Sequence, residues 1–304
     1  MIHLVVKNEH INGLGGIRFM RYVLSVEGLS KKYPNFSLNN VSLNIEKGKI
    51  MGFIGQNGAG KSTTINSIVG ITPFDKGVVR INELDICSEE AKVKQVVGYV
   101  GENVNLYSNS LAVENYRFIK RFYTNWDDAY FKKLIKYFNV DLSKKIKDLS
   151  KGTKIKFYLA LALAHHPEIL VMDEPTSGLD PVIRDEILDI FYDLAKREGT
   201  TILFSSHITE DIVKIADDIT YIYNGTILLT DTKKNILENY KRVEFLNKIP
   251  NFAEHINLKR KNSIIVDDFE KFTKRYSIKN NKNQIKVHST SLDEVLLFAM
   301  EGGR

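Results

Sequence analysis

The stretch Gly55-Gln56-Asn57-Gly58-Ala59-Gly60-Lys61-Ser62 fits the pattern G-x-x-x-x-G-K-[ST] without a mismatch. Its three glycines permit backbone angles that side chains forbid. Successive N–H groups then converge on phosphate oxygens, while Lys61 reaches the outer phosphates and Ser62 is left to hold Mg²⁺. On either side, Lys49 to Ile54 reads as a buried strand entering the loop, and Ser62 to Val69 as an amphipathic helix leaving it. A helix N-terminus at that place favours an anion, so motif, strand and helix together predict a nucleotide-phosphate site.

The chain of 304 residues has room for one large domain and a small one. Cys87 is its only cysteine, which excludes a disulfide framework and a cysteine-based zinc site and suits a reducing compartment. No apolar run approaches the roughly 18 residues of a membrane-spanning helix; the best, Phe157 to Ala164, is far shorter. A membrane role therefore has to go through a partner. The net charge of +6 is unevenly placed: residues 20–230 balance, whereas residues 231–304 carry 15 basic against 10 acidic side chains. Those lysines are scattered and lack an accompanying aromatic pattern, so they read as a solvated surface and no direct nucleic-acid contact is expected.

Residues 1–19 lack the hallmarks of a secretory signal and read as an extension, with translation expected to start at Met20. Alternating segments at Tyr22 to Val26 and Leu38 to Ile45 predict two strands around a turn at Tyr33-Pro34-Asn35. After the loop helix come short strands at Val78 to Ile81 and Val96 to Val100. A helical insert then covers about residues 103–165, with Trp126 at a junction that Asp127 and Asp128 could cap. Cys87 and Trp126 are taken as packing residues. Leu149 to Thr153 opens a helix through Lys154 to His165. The apolar run Ile169 to Met172 closes on Asp173 and Glu174, and a helix begins at Pro181 after the turn at Ser177 to Asp180. Thr201 to Ser205 is a further strand, with His207 beyond its end. Alternating strands and helices predict a mostly parallel sheet covered on both faces, with ligands at the carboxyl ends of its strands. Residues 231–304 read as a small α/β appendage ending in a helix, Ser291 to Met300, opened by a Ser291/Glu294 capping box.

Phosphate transfer to water needs neutralised phosphates, a held metal and an aimed water. Asp173, at a strand end, suits the metal, and Glu174 suits the water.

From Tyr22 to Thr230 the sequence strongly resembles the nucleotide-binding subunit of an ATP-binding-cassette (ABC) transporter, of the bacterial export type with a separate permease. The resemblance implies an α/β fold, a P-loop cassette with a mixed sheet, antiparallel strands and a helical subdomain, over residues 20–230. It implies that Tyr33 stacks on adenine and that Gly55, Gln56, Asn57, Gly58, Ala59, Gly60, Lys61, Ser62 and Thr63 bind the ATP phosphates. Leu149 to Thr153 becomes the signature, with Ser150 and the N–H of Gly152 completing the phosphate site of a second cassette, in a homo- or heterodimer. Asp173 and Glu174 become the Walker B acids, Asp180 the D-loop acid, and His207 the switch histidine at the terminal phosphate. Alone, Tyr33 is an ordinary turn aromatic and His207 a surface or structural histidine. Two positions depart from the family pattern. Lys151 and Thr153 replace Gly and Gln in the signature, and Glu102 replaces the Q-loop Gln as an expected metal ligand beside Ser62 and Asp173. The implied function is ATP hydrolysis with Mg²⁺ that drives an integral-membrane permease from the cytoplasmic side, for export of a peptide, antibiotic or lipid-like compound. A soluble ABC-type clamp acting on ribosome or nucleic acid is the alternative; only 112 positions separate Lys61 from Asp173, which leaves no room for a long coiled-coil insert.

Overall fold

The computed structural model describes residues 22–101, 106–246, 263–275 and 285–301. The expected extension at 1–19, the start at Met20 and the Glu102 position lie outside the described residues.

Three sheets are present among the described residues. The first is antiparallel, in the order β2 (Ser37–Glu46), β1 (Tyr22–Lys32), β4 (Lys76–Ile81), β5 (Leu84–Asp85). The second is the six-stranded centre, in the order β10 (Thr226–Thr232), β9 (Asp218–Tyr223), β3 (Ile50–Ile54), β8 (Thr201–Ser206), β7 (Ile169–Met172), β6 (Val97–Val100). Strands β9, β3, β8, β7 and β6 run parallel and β10 turns back antiparallel on β9. The mixed character expected from the sequence is therefore present.

Both faces of the central sheet are buried, which explains why its strands read as continuous apolar runs. Successive side chains alternate between faces. Met51, Phe53, Ile169, Val171 and Leu203 point into a core shared with the antiparallel sheet and α1 (Lys61–Ile68). Ile50, Ile54, Leu170, Met172, Ile202 and Phe204 point into a second core, covered by helices. Each fully buried Val, Leu, Ile or Phe contributes about 1.5–3 kcal/mol, more than the roughly 1 kcal/mol net of a hydrogen bond. These two layers therefore fix the positions of the strand ends.

Between β6 and β7 lie α3 (Ala112–Ile119), α4 (Asp128–Tyr137) and α5 (Lys151–Leu163). Asp127 caps α4 by accepting from the Tyr130 N–H at 2.8 Å. Asp128 is no cap: it accepts from the Tyr116 hydroxyl at 2.6 Å and from the Trp126 indole at 2.9 Å. Trp126 packs as expected against Tyr116 and Phe131. Cys87 does not pack. It is exposed, in a turn held by its own N–H to Asp85. Val96 belongs to α2 (Glu90–Val96), which runs directly into β6.

The C-terminal region forms the third sheet, antiparallel β12 (Ser263–Val266), β11 (Lys241–Phe245), β13 (Ile285–Ser289), with α8 (Lys233–Asn239) and α9 (Phe269–Arg275). The boundary expected after residue 230 falls within β10. The final helix α10 (Leu292–Met300) starts at the capping box Ser291/Glu294. It buries Leu292, Val295 and Leu296 in the same core as β3 and β8.

Candidate nucleotide site

β3 delivers the chain to the phosphate loop, and α1 leaves from it with Gly60 as the residue before its first turn, at φ 111°. Gly58, at φ +79°, faces open space, so its backbone conformation rather than crowding asks for glycine. Gly60 answers to both demands: a Cβ there would lie 2.7 Å from Leu38 and 2.9 Å from Phe36. The β1–β2 turn, with Tyr33 half exposed and Lys31 over its ring at 5.2 Å, is thereby placed beside the loop.

The ammonium of Lys61, 5 % exposed, donates to the carbonyls of Gly55 at 2.7 Å and Gln56 at 3.2 Å. It also lies 3.0 Å from Oε1 of Glu174, whose side chain is 9 % exposed. That contact is an ion pair by distance without hydrogen-bond alignment, and Oε1 has no hydrogen-bond partner. The other oxygen, Oε2, meets His207 Nδ1 at 2.7 Å. Three residues far apart in sequence, from the ends of three parallel strands, thus form one chain: Lys61, Glu174, His207.

Glu174 has φ +50°, a left-handed conformation uncommon for a side-chain-bearing residue. Its N–H is held by Ser205 Oγ at 2.8 Å, and the same hydroxyl donates to Asp173 Oδ1 at 2.6 Å. Sequence reasoning missed Ser205. The available signal was its position at the end of β8, the strand next to the one that delivers the acids. Burial first, and the Asp173 charge second, push the Tyr99 phenol up to about 12. It remains a protonated donor to Asn66 Oδ1 at 3.1 Å.

A second group sits on two helix N-termini. Ser150 caps α5, accepting from the Thr153 N–H at 3.2 Å and pairing with its hydroxyl at 2.8 Å. The segment Leu149 to Thr153 therefore opens α5 as expected, with the first helical residue at Lys151 and the last at Leu163, two residues short of His165. Asp180 caps α6 (Pro181–Glu198) by accepting from the Ile183 N–H at 3.1 Å. Gly152 joins the two ends: a Cβ there would lie 2.5 Å from Ile183 Cγ2. The Lys151 ammonium lies 2.9 Å from where a Cβ on Gly178 would stand, against the turn that precedes α6. Among the described residues, no hydrogen bond or ion pair links Ser150, Gly152 or Asp180 to the phosphate loop.

Among the described residues, no group of three or more His, Cys, Asp or Glu could hold a metal unaided. Ser62 and Asp173 offer hydroxyl and carboxylate oxygen, a donor set that fits Mg²⁺. That ion is commonly held by one or two carboxylates, substrate phosphates and waters.

A cavity of about 430 Å³ flanks the loop, lined on one side by Gln56, Asn57 and His207 and on the other by Leu296, Leu297 and Met300 of α10. Two contacts bridge it: the Gln56 amide with Met300 sulfur at 3.9 Å, and the Thr209 hydroxyl donating to Asp293 at 3.2 Å.

The chain is similar to known proteins in sequence and in fold. Residues 38–177 match the ABC transporter family. The chain is 35% identical over 225 residues to the ABC transporter ATP-binding protein NatA of Bacillus subtilis (strain 168), covering 72% of this chain and 91% of NatA. It is 34% identical over 220 residues to the linearmycin resistance ATP-binding protein LnrL of the same organism, covering 70% of each. A solved ATP binding subunit of an ABC transporter matches with a TM-score of 0.64 at 28% identity, covering 71% of this chain and 92% of that one. The chain belongs to the ATP-binding subunits of ABC transporters and is an ATPase cassette. No helix among the described residues is long and apolar enough to cross a membrane.

Proposed function

We propose that this chain is the ATP-hydrolysing subunit of an exporter: it dimerises on ATP and Mg²⁺ and drives a separately encoded permease from the cytoplasmic face of the membrane. The cargo class is a peptide, antibiotic or lipid-like compound. The observation that carries the hydrolytic part is the chain Lys61, Glu174, His207 at three neighbouring strand ends. The likeness to LnrL, named for linearmycin resistance, supports export.

In this reading Tyr33 stacks on adenine, and the backbone from Gly55 to Thr63 takes the phosphates. Lys61 exchanges its bond with Glu174 for one with the outer phosphates. That exchange frees a carboxylate to orient or deprotonate water, while His207 meets the terminal phosphate. Ser62 and Asp173 hold Mg²⁺, with Glu102 as a third oxygen donor. When bound there, the metal would supply charge neutralisation for the phosphates. Ser150, the Gly152 N–H and Asp180 complete the site of the second cassette.

The test is affinity purification of the chain from gently solubilised membranes of its own cells, followed by identification of what accompanies it and an ATPase assay. An integral-membrane protein should co-purify, and Glu174→Gln should slow hydrolysis by about two decades while retaining ATP, trapping a dimer. Recovery of ribosomal components without any membrane protein would replace the exporter reading with that of a soluble clamp.

A further inference from the structure

We propose that Asp211 is a positioning residue for hydrolysis, one that holds the His207 segment in register with Glu174; the inference rests on the roles proposed above for those two residues. Asp211 is 2 % exposed, and nothing in the proposed chemistry uses it. It lies on α7 (Thr209–Ile215), in the first turn after His207. One carboxylate oxygen, Oδ2, accepts from the hydroxyl of Thr176 at 2.6 Å, and Thr176 is itself 1 % exposed. The other, Oδ1, lies 3.8 Å from Nε of Arg184, a residue of the first turn of α6 whose backbone N–H donates to the Asp180 carbonyl at 2.9 Å.

One buried carboxylate therefore ties together three segments: the turn that carries Glu174, the start of α6 beyond Asp180, and the helix that follows His207. The first and third of these are cross-linked twice, by His207 to Glu174 at 2.7 Å and by Asp211 to Thr176 at 2.6 Å. Two rungs define an orientation that one rung leaves free to pivot. The second rung matters because α7 has seven residues, below the roughly 12–15 at which a helix sustains itself in water. Its direction is set by what it touches. Ile212 is pressed onto the sheet at Gly52, where a Cβ would come within 2.6 Å, and this fixes the depth of the helix. Asp211 fixes its rotation toward the turn. His207, whose side chain is 40 % exposed, is held at its own side chain through Glu174, so the second rung is what fixes the segment behind it.

The experiment measures kcat and KM for ATP, direct ATP affinity and thermal melting on the full chain. Asp211→Ala and Thr176→Val should each lower kcat by about ten- to a hundredfold, the size expected for a misplacement near 1 Å. Their ATP affinity should stay within about threefold, since an interaction needed only for the reacting geometry is being lost. Asp211→Asn keeps an acceptor for Thr176 and should recover most of kcat. The double variant should be no slower than either single one, because both cut the same rung. A kcat per folded molecule equal to the parent in Asp211→Ala and Thr176→Val, or losses that multiply in the double variant, would overturn the proposal. If Asp211→Ala does not fold, Thr176→Val and Asp211→Asn decide the matter by the same criteria. Glu174→Gln is measured alongside: full turnover there sinks the reading of the site itself. An inactive Glu174→Gln with active Asp211 and Thr176 variants sinks only the role of Asp211.

Discussion

Lys61 and Glu174 neutralise each other in a place with little water, and each depends on the other remaining charged and present. Breaking a buried pair by removing one partner costs about 3–5 kcal/mol, because the remaining charge is stranded. Lys61→Ala should thus do two things: abolish measurable ATP binding and lower stability to urea in the nucleotide-free protein. Adding Glu174→Gln to Lys61→Ala should restore part of the lost stability without restoring ATP binding; no recovery would mean that the pair does not hold the empty site together. A second buried group sets a pH limit. His165 donates from Nε2 to the Val97 carbonyl at 3.2 Å and stacks on Tyr123 at 4.0 Å. Burial lowers its pKa from 6.5 to about 4, against the opposing pull of the Val97 carbonyl. Above pH 6.5 both folded and unfolded chains carry it neutral, and it has no effect on the pH dependence. As pH falls from 6.5 toward 4, the unfolded chain takes up a proton that the folded chain refuses, and stability drops by up to about 3 kcal/mol. His165→Gln should show a shallower loss of urea stability over that window than the parent.

At the scale of elements, the N-termini of α5 and α6 meet at Gly152, where no side chain fits against Ile183. Alanine is a better helix former than glycine by about 1 kcal/mol, but overpacking costs about 1–3 kcal/mol. Gly152→Ala should therefore lower Tm, and Ile183→Ala in the same chain should recover part of the loss; a raised Tm in Gly152→Ala would show that the helices can separate freely. Much of this architecture was legible in advance. The strands β1, β2, β3, β7 and β8 announce themselves by alternation or by short apolar runs, and the helix starts by Ser150, Asp180-Pro181 and Ser291 with Glu294. Each signal acts over a few residues. What stayed illegible acts across distance or has little pattern of its own. The two-residue β5 and seven-residue α2 are too short for a period to register. Ser205 and Asp211 look like ordinary polar residues until β7 and β8 stand side by side and α7 folds back on the turn. The phosphate loop could be read from one motif, whereas its ion pair with Glu174 joins positions 113 residues apart and had no local signature.

At the scale of the molecule, α10 does not stay with its own sheet. Its Arg242–Glu294 ion pair at 2.9 Å points back to β11, while Val295 and Leu296 are buried in the core beneath β3 and β8. Val295→Asp puts an unpaired carboxylate there, which costs several kcal/mol. Tryptophan fluorescence from Trp126 and ATP binding should then be lost together, in one urea transition displaced to lower concentration. Separate transitions would show that the C-terminal region is an independent unit. The bridge from Gln56 to Met300 also has a consequence for how the protein is made, since its two residues lie 244 positions apart. A ribosome adding about 5–20 residues per second finishes the phosphate loop roughly ten to fifty seconds before it finishes the helix beside it. Over the last part of that interval, once Tyr221 has been made, Ile54 and Tyr221 face a flank that Leu296 has yet to line. A message cut short by its last dozen codons should yield a chain with every nucleotide motif intact and this flank bare, and such a chain should be cut by protease faster than the full one.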